Sequence, residues 1–161
     1  MSEINIPSPR HVTFGHVQYP PGGTCGPRIQ IGLQLVVLDQ GEMRVVTDGR
    51  AVDVSPGEMV CQWPGGHEHY LFSKTKITTH RWVSLHFEHS VENQQMLESL
   101  RHRSRQKMSE TPAMREIYDL GYRHRNTRNP RTTEMLSYLA LAYGSAYLTP
   151  TSEETFGNTA P

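Results

Sequence analysis

The feature that most constrains this chain is a series of short β-rich runs over residues 31–87, each closed by a turn that contains glycine. I-G-L-Q-L-V-V-L (31–38) ends at Asp39-Gln40-Gly41, and E-M-R-V-V-T ends at Asp48-Gly49. Asp-Gly supplies the positive φ values of a tight hairpin. Ser55-Pro56-Gly57-Glu58 suits a type II turn, because proline fixes one φ and glycine accepts the positive one. E-M-V-C-Q-W, a Pro64-Gly65-Gly66 turn, H-E-H-Y-L-F and I-T-T-H-R-W-V-S-L-H-F (77–87) complete the series. Strands of this length at this spacing build a sandwich or a barrel.

After Phe87 the apolar period becomes helical. Ser90 can cap a first helix that places Val91, Leu97 and Leu100 near one face. Thr111-Pro112 opens a second, and R-N-T-R-N-P connects to a third. That third helix carries Leu136, Leu139, Ala140, Tyr143, Ala146 and Tyr147 at helical spacing. Strands first and helices second make an α+β chain. The expected division is an N-terminal arm and loop over 1–27, where proline and glycine are frequent, and a barrel over 28–88. A helical segment over 89–148 and a linker or tail over 149–161 follow.

Sixteen basic residues balance sixteen acidic ones, whereas a domain that held DNA by itself would carry a basic excess. The Arg-rich runs 101–107 and 123–131 therefore read as solvated helix faces or as a contact with a further domain. Two cysteines are too few for a disulfide framework, no run reaches the roughly 18 apolar residues of a membrane span, and the opening shows no signal-peptide pattern. A cytoplasmic protein is expected. P-loop and G-x-S-x-G motifs are absent, and neither Cys25 nor Cys61 has a local base, so nucleophilic catalysis has no support. In His67-Glu68-His69, strand alternation puts the two imidazoles on one face and Glu68 on the other. The pair could hold a metal if His80 or His86 joined it. Otherwise His69 faces a pocket and His67 the rim.

The hairpin array resembles the cupin barrel. The first cupin frame falls on Gly22, Arg28, Gln30, Gln34 and Gly41, and the second on Gly57, Pro64, Gly65, Gly66, His69 and Ser73. The resemblance implies a cupin-like antiparallel β-barrel followed by helices. Three of its four metal-ligand positions read Arg28, Gln30 and Gln34, and only His69 remains. Arginine is not a ligand for divalent metals at neutral pH, and glutamine is a weak neutral donor. No metal and no other cofactor is expected. Such a site suits hydrogen bonding to a small polar molecule.

P-G-G-H-E-H-Y, then W-V-S-L-H-F before helices, resembles more narrowly the effector-binding domain of AraC/XylS-type transcription regulators. This likeness implies a ligand site of Arg28, Gln30, Gln34, His69 and Tyr70, with Trp82, Ser84 and His86 from the closing strand. It also implies an arm that folds over a bound effector, and a homodimer through Leu136, Leu139, Tyr143 and Tyr147 of the last helix. The same stripe suits packing on the chain's own barrel. The expected function is non-enzymatic sensing of a small sugar or organic acid, with DNA bound only through helix-turn-helix units beyond this chain. The alternative is a metal-dependent cupin enzyme, a sugar isomerase or dioxygenase, that uses His67, His69 and His86.

Overall fold

A computed structural model describes residues 6–149. The described chain runs β1 (His11–Tyr19), β2 (Thr24–Ile29), β3 (Leu33–Gln40), β4 (Met43–Thr47), β5 (Arg50–Val54), β6 (Glu58–Gln62), β7 (His67–Phe72) and β8 (Thr78–His86). Helix α1 (Val91–Arg103), the short β9 (Met108–Ser109), α2 (Pro112–Arg123) and α3 (Pro130–Leu148) follow. The strands form two antiparallel sheets, ordered β1-β8-β3-β6-β9 and β2-β7-β4-β5. Their inner faces meet around Val36, Leu38, Val45, Val60, Tyr70 and Phe72. This is the α+β architecture that the sequence implies, a cupin-like antiparallel barrel followed by helices.

The five-stranded sheet is buried on both faces. Its outer side carries Phe14, Leu35, Val83 and Leu85 against Met114 and Tyr118 of α2 and Ala140, Tyr143 and Tyr147 of α3. Double burial explains why β3 reads as a nearly unbroken apolar run, L-Q-L-V-V-L, and does not alternate. Gly121 lets α2 close on the sheet, since a Cβ there would lie 2.2 Å from Phe14 Cε1. The four-stranded sheet instead presents one face to solvent. Its β7 alternates between buried positions and exposed or half-buried ones, and an Arg44–Asp53 pair spans β4 and β5 at 2.7 Å.

The caps sit where the residue types place them. Ser90 Oγ accepts from Asn93 N at 3.0 Å, and Thr111 Oγ1 accepts from Met114 N at 3.2 Å with Pro112 at the first helical position.

Two expectations are corrected. The arm and loop expected over 1–27 contain two barrel strands, so the barrel begins at His11. Its prolines and glycines mark the β1–β2 connection, Pro20-Pro21-Gly22-Gly23, and a bulge in β2 between Cys25 and Arg28. H-V-T-F-G-H-V-Q-Y between those signals is an ordinary strand that pairs with β8 along its whole length. Ahead of it, Ile6 packs on the helix-side core and within 3.7 Å of a Cβ position at Gly144, so this residue lies away from the barrel interior. The second correction concerns the expected dimer stripe. Leu136, Tyr143 and Tyr147 are buried against the chain's own sheet, and Leu139 packs at the edge of that core. Helix α3 spends this face on its own barrel because the outer side of the five-stranded sheet is apolar and must be covered.

Candidate functional site

The barrel interior holds a cavity of about 110 Å³. Tyr19 (β1), Tyr70 (β7) and Trp82 (β8) give it aromatic walls. Arg28 (β2), Gln34 (β3) and His80 (β8) bring polar groups, and Val17, Cys25 and Val36 complete it. Strand alternation delivers these side chains. His80 and Trp82 lie two apart on β8, so both enter, and Arg81 between them leaves on the opposite side.

An ion pair lies beside the cavity. Arg28 and Glu68 are direct partners across β2 and β7, and Arg28 Nε donates to Glu68 Oε1 at 2.7 Å. The Glu68 side chain is fully buried whereas that of Arg28 is 46% exposed, so the pair runs from the interior out to the rim. Tyr70 Oη donates to Glu68 Oε2 at 3.4 Å. Burial pushes the Glu68 carboxyl up, and the Arg28 guanidinium and Tyr70 hydroxyl pull it part of the way back. Burial also raises the Tyr70 phenol well above its ordinary value, so Tyr70 stays a neutral donor.

His80 stands in an aromatic cage. Its ring lies 5.7 Å from Tyr19 and from Phe72, and 6.0 Å from Trp82, centroid to centroid. Burial, with smaller repulsion from His16 and Arg28, lowers its pKa to about 4, so it is neutral at pH 7. Among the described residues, its Nδ1 is the one buried side-chain nitrogen or oxygen without a hydrogen-bond partner. A buried polar atom left unpaired is costly. At a cavity wall, it is a place for a ligand group or a water.

The structure brings Arg28, Gln34, Tyr70 and Trp82 of the expected ligand set together at this cavity. The other four lie elsewhere. His69 is on the outer face of β7, because the parity of the strand turns Glu68 and Tyr70 inward. The expectation that His69 faces the pocket while Glu68 points away is therefore reversed. Gln30 is buried, but its Nε2 donates to Gly32 O at 3.0 Å, and it borders a separate cleft of about 570 Å³ beside Trp63 and Leu97. Ser84 is buried on β8 outside the cavity lining. His86 stacks on His11 at the far end of β8, with ring centroids 4.2 Å apart.

Two groups at the site lie outside the expected ligand set: His80, expected only as a possible metal partner of His67 and His69, and Glu68, expected to point away. His80 had a signal, since it precedes Trp82 by two on one strand. Glu68 had a fainter one, because an arginine that enters a barrel needs a counter-charge.

A divalent metal does not fit these residues. Arg28 and Gln34 are not metal-type donors, and Glu68, the one carboxylate, is already bound by Arg28. Among the described residues, no three His, Cys, Asp or Glu side chains gather into a metal-binding group. His67 and His69 face outward from the four-stranded sheet, whereas His86 belongs to the five-stranded one. No described helix is long and apolar enough to cross a membrane.

Fold and site together define a cupin-type barrel with a polar, aromatic-walled internal cavity. No family model and no curated protein matches the chain. Solved structures resemble it loosely. A cupin superfamily protein from Desulfitobacterium hafniense is 18% identical over 48% of this chain and 69% of its own, with a TM-score of 0.42. An RmlC-like cupin family protein with a double-stranded β-helix fold, from Methanocaldococcus jannaschii, is 17% identical over 47% of this chain and 70% of its own, at 0.42. The Escherichia coli protein YhaK is 20% identical over 62% of this chain but only 43% of its own, at 0.46.

Proposed function

We propose that this chain is the effector-sensing domain of an AraC-type transcription regulator, and that it binds a small hydroxylated molecule in the barrel. One observation carries the reading: a guanidinium, an unpartnered imidazole nitrogen and an indole meet at one half-open, aromatic-walled cavity. The order of barrel then helices, and the resemblance of the closing strand, support the regulator assignment.

The ion pair favours a neutral ligand. Glu68 cancels the charge of Arg28, so a carboxylate gains less there than at a free guanidinium, and a hydroxyl can still use the terminal amino groups of Arg28. His80 Nδ1 can pair with a second hydroxyl, and Trp82 offers a face for stacked C–H groups. A sugar is thus favoured over an organic acid. At about 110 Å³ the cavity holds a few waters and not a whole sugar, so its lining must open to admit one. A ligand that binds only the opened state shifts the population towards it. Any pairing of two copies would use the outer face of α3, where Tyr138 is 64% exposed.

The test is native mass spectrometry and calorimetry of the purified chain against a panel of monosaccharides and small acids. One sugar per subunit, with affinity lost in Arg28→Ala, is the expected result. Unchanged affinity in Arg28→Ala would refute the site. One tightly held transition metal per subunit and chelator-sensitive turnover would replace the sensor with an enzyme.

A further inference from the structure

The strand that lines the cavity also anchors the helices, and both connections pass through one side chain of α2. Trp82 has two backbone neighbours of note: Arg81, the preceding residue, and Gly15, its register partner on β1. The indole lies directly over Gly15, where an added Cβ would come within 2.0 Å of Trp82 Cζ2. Tyr118 of α2 engages both neighbours. Its hydroxyl donates to Gly15 O at 2.6 Å, and its ring lies under the Arg81 guanidinium at 4.6 Å from Cζ. Tyr118 is itself buried, so it has little room to move independently of these contacts.

Arg81 is held just as firmly. Its Nε donates to both carboxylate oxygens of Asp39 at 2.9 and 2.8 Å, and its terminal nitrogens form a fork to Glu110 at 3.0 and 2.8 Å. Glu110 lies just ahead of Thr111, the N-cap of α2, and accepts from Tyr143 of α3. The backbone segments on either side of the indole are thus both tied to the helical layer.

We infer that Tyr118 is a positioning residue that couples the placement of Trp82 in the cavity to the seating of helix α2 on the barrel. When a ligand stacks on the indole and shifts it, Gly15 and Arg81 must move or the two Tyr118 contacts must loosen. Occupancy of the barrel is then felt on its helical side. The direction of that signal rests on the sensing role proposed above, but the coupling exists in the ligand-free chain.

The test therefore needs no ligand. In the ¹⁵N-labelled full chain, the two indole N–H resonances belong to Trp63 and Trp82. Tyr118→Phe deletes the hydroxyl on Gly15 O and keeps the ring. The Trp82 resonance should shift while that of Trp63 stays, and Tyr138→Phe, at an exposed position on α3, should move neither. In the reverse direction, Trp82→Phe should speed hydrogen exchange in α2 more than in α1, which supplies none of the hydrogen-bond or ring partners described for Tyr118. An unmoved Trp82 resonance in folded Tyr118→Phe, or equal exchange changes in α1 and α2, would overturn the coupling. If Tyr118→Phe does not fold, the exchange measurement decides. Failure of the sugar panel would leave both results standing, so the two ideas fall separately.

Discussion

Replacing Glu110 with glutamine tests what holds the helical layer to the barrel. Glu110 keeps a side chain that is 7% exposed against the 4% of Arg81, and the two form a two-pronged pair at 3.0 and 2.8 Å. Glu110→Gln preserves the shape and removes the charge. One prong of the fork becomes mismatched, because an amide nitrogen cannot accept from a guanidinium, and Tyr143 loses an ionised acceptor. Breaking a buried ion pair costs about 3–5 kcal/mol. Asp39 still answers Arg81, but its side chain is 26% exposed and so compensates only in part. A loss at the lower end, about 3 kcal/mol, is expected. For a domain of this size that corresponds to a fall in Tm of about 6–12 °C. Urea unfolding followed by circular dichroism gives the free energy, and a thermal melt checks it. The paired replacement Arg81→Met with Glu110→Leu should not recover the loss, since Asp39 then loses both bonds from Arg81 and the buried Tyr143 hydroxyl loses its acceptor. A loss below about 1 kcal/mol in Glu110→Gln, the range of a surface pair, would refute the buried-clamp reasoning.

Three further outcomes are expected. Because the His80 pKa falls from 6.5 to about 4 on folding, its contribution to stability is complete above pH 6.5 and is lost as pH drops towards 4. The loss is about 3 kcal/mol at about 1.4 kcal/mol per unit, and denaturant midpoints of His80→Phe across that range should show a flatter acid limb. Gly15→Ala should destabilise the chain by about 1–3 kcal/mol and displace Trp82, seen as a changed emission spectrum in a Trp63→Phe background, because the new methyl overlaps the indole. Arg28→Ala should abolish sugar binding in calorimetry and also lower stability, since it leaves the fully buried Glu68 side chain without its partner.

Much of the fold could be read from turn chemistry. Asp48 does take a positive φ, as do Gly49 and Gly57, so the β4–β5 hairpin falls where Asp-Gly predicts it, and the Pro56-Gly57 turn carries the chain from one sheet to the other. Strands β1 and β2 were hidden because prolines and glycines at their ends and within β2 outweighed the alternation of the β1 run. At the site, alternation correctly separates Glu68 from its two histidines but cannot say which side is the interior. That choice depends on Arg28, 40 residues earlier, which meets Glu68 only after the strands pair. The last helix posed a similar ambiguity. Its stripe has one spacing whether it meets a second copy or its own sheet, and the apolar outer side of β1, β3 and β8 decided the matter.

The double burial of the five-stranded sheet sets how freely this barrel can be diversified. A substitution on β3 or β8 that reshapes the cavity also strains the strand that seats the helices, so two cores answer for one change. The outward positions of β7 are exposed or half-buried and belong to neither core, so a change on that strand answers to one core alone. New ligand preferences, whether reached by selection or by library screening, should therefore accumulate on Cys25, Arg28, Glu68 and Tyr70, while His80 and Trp82 stay fixed.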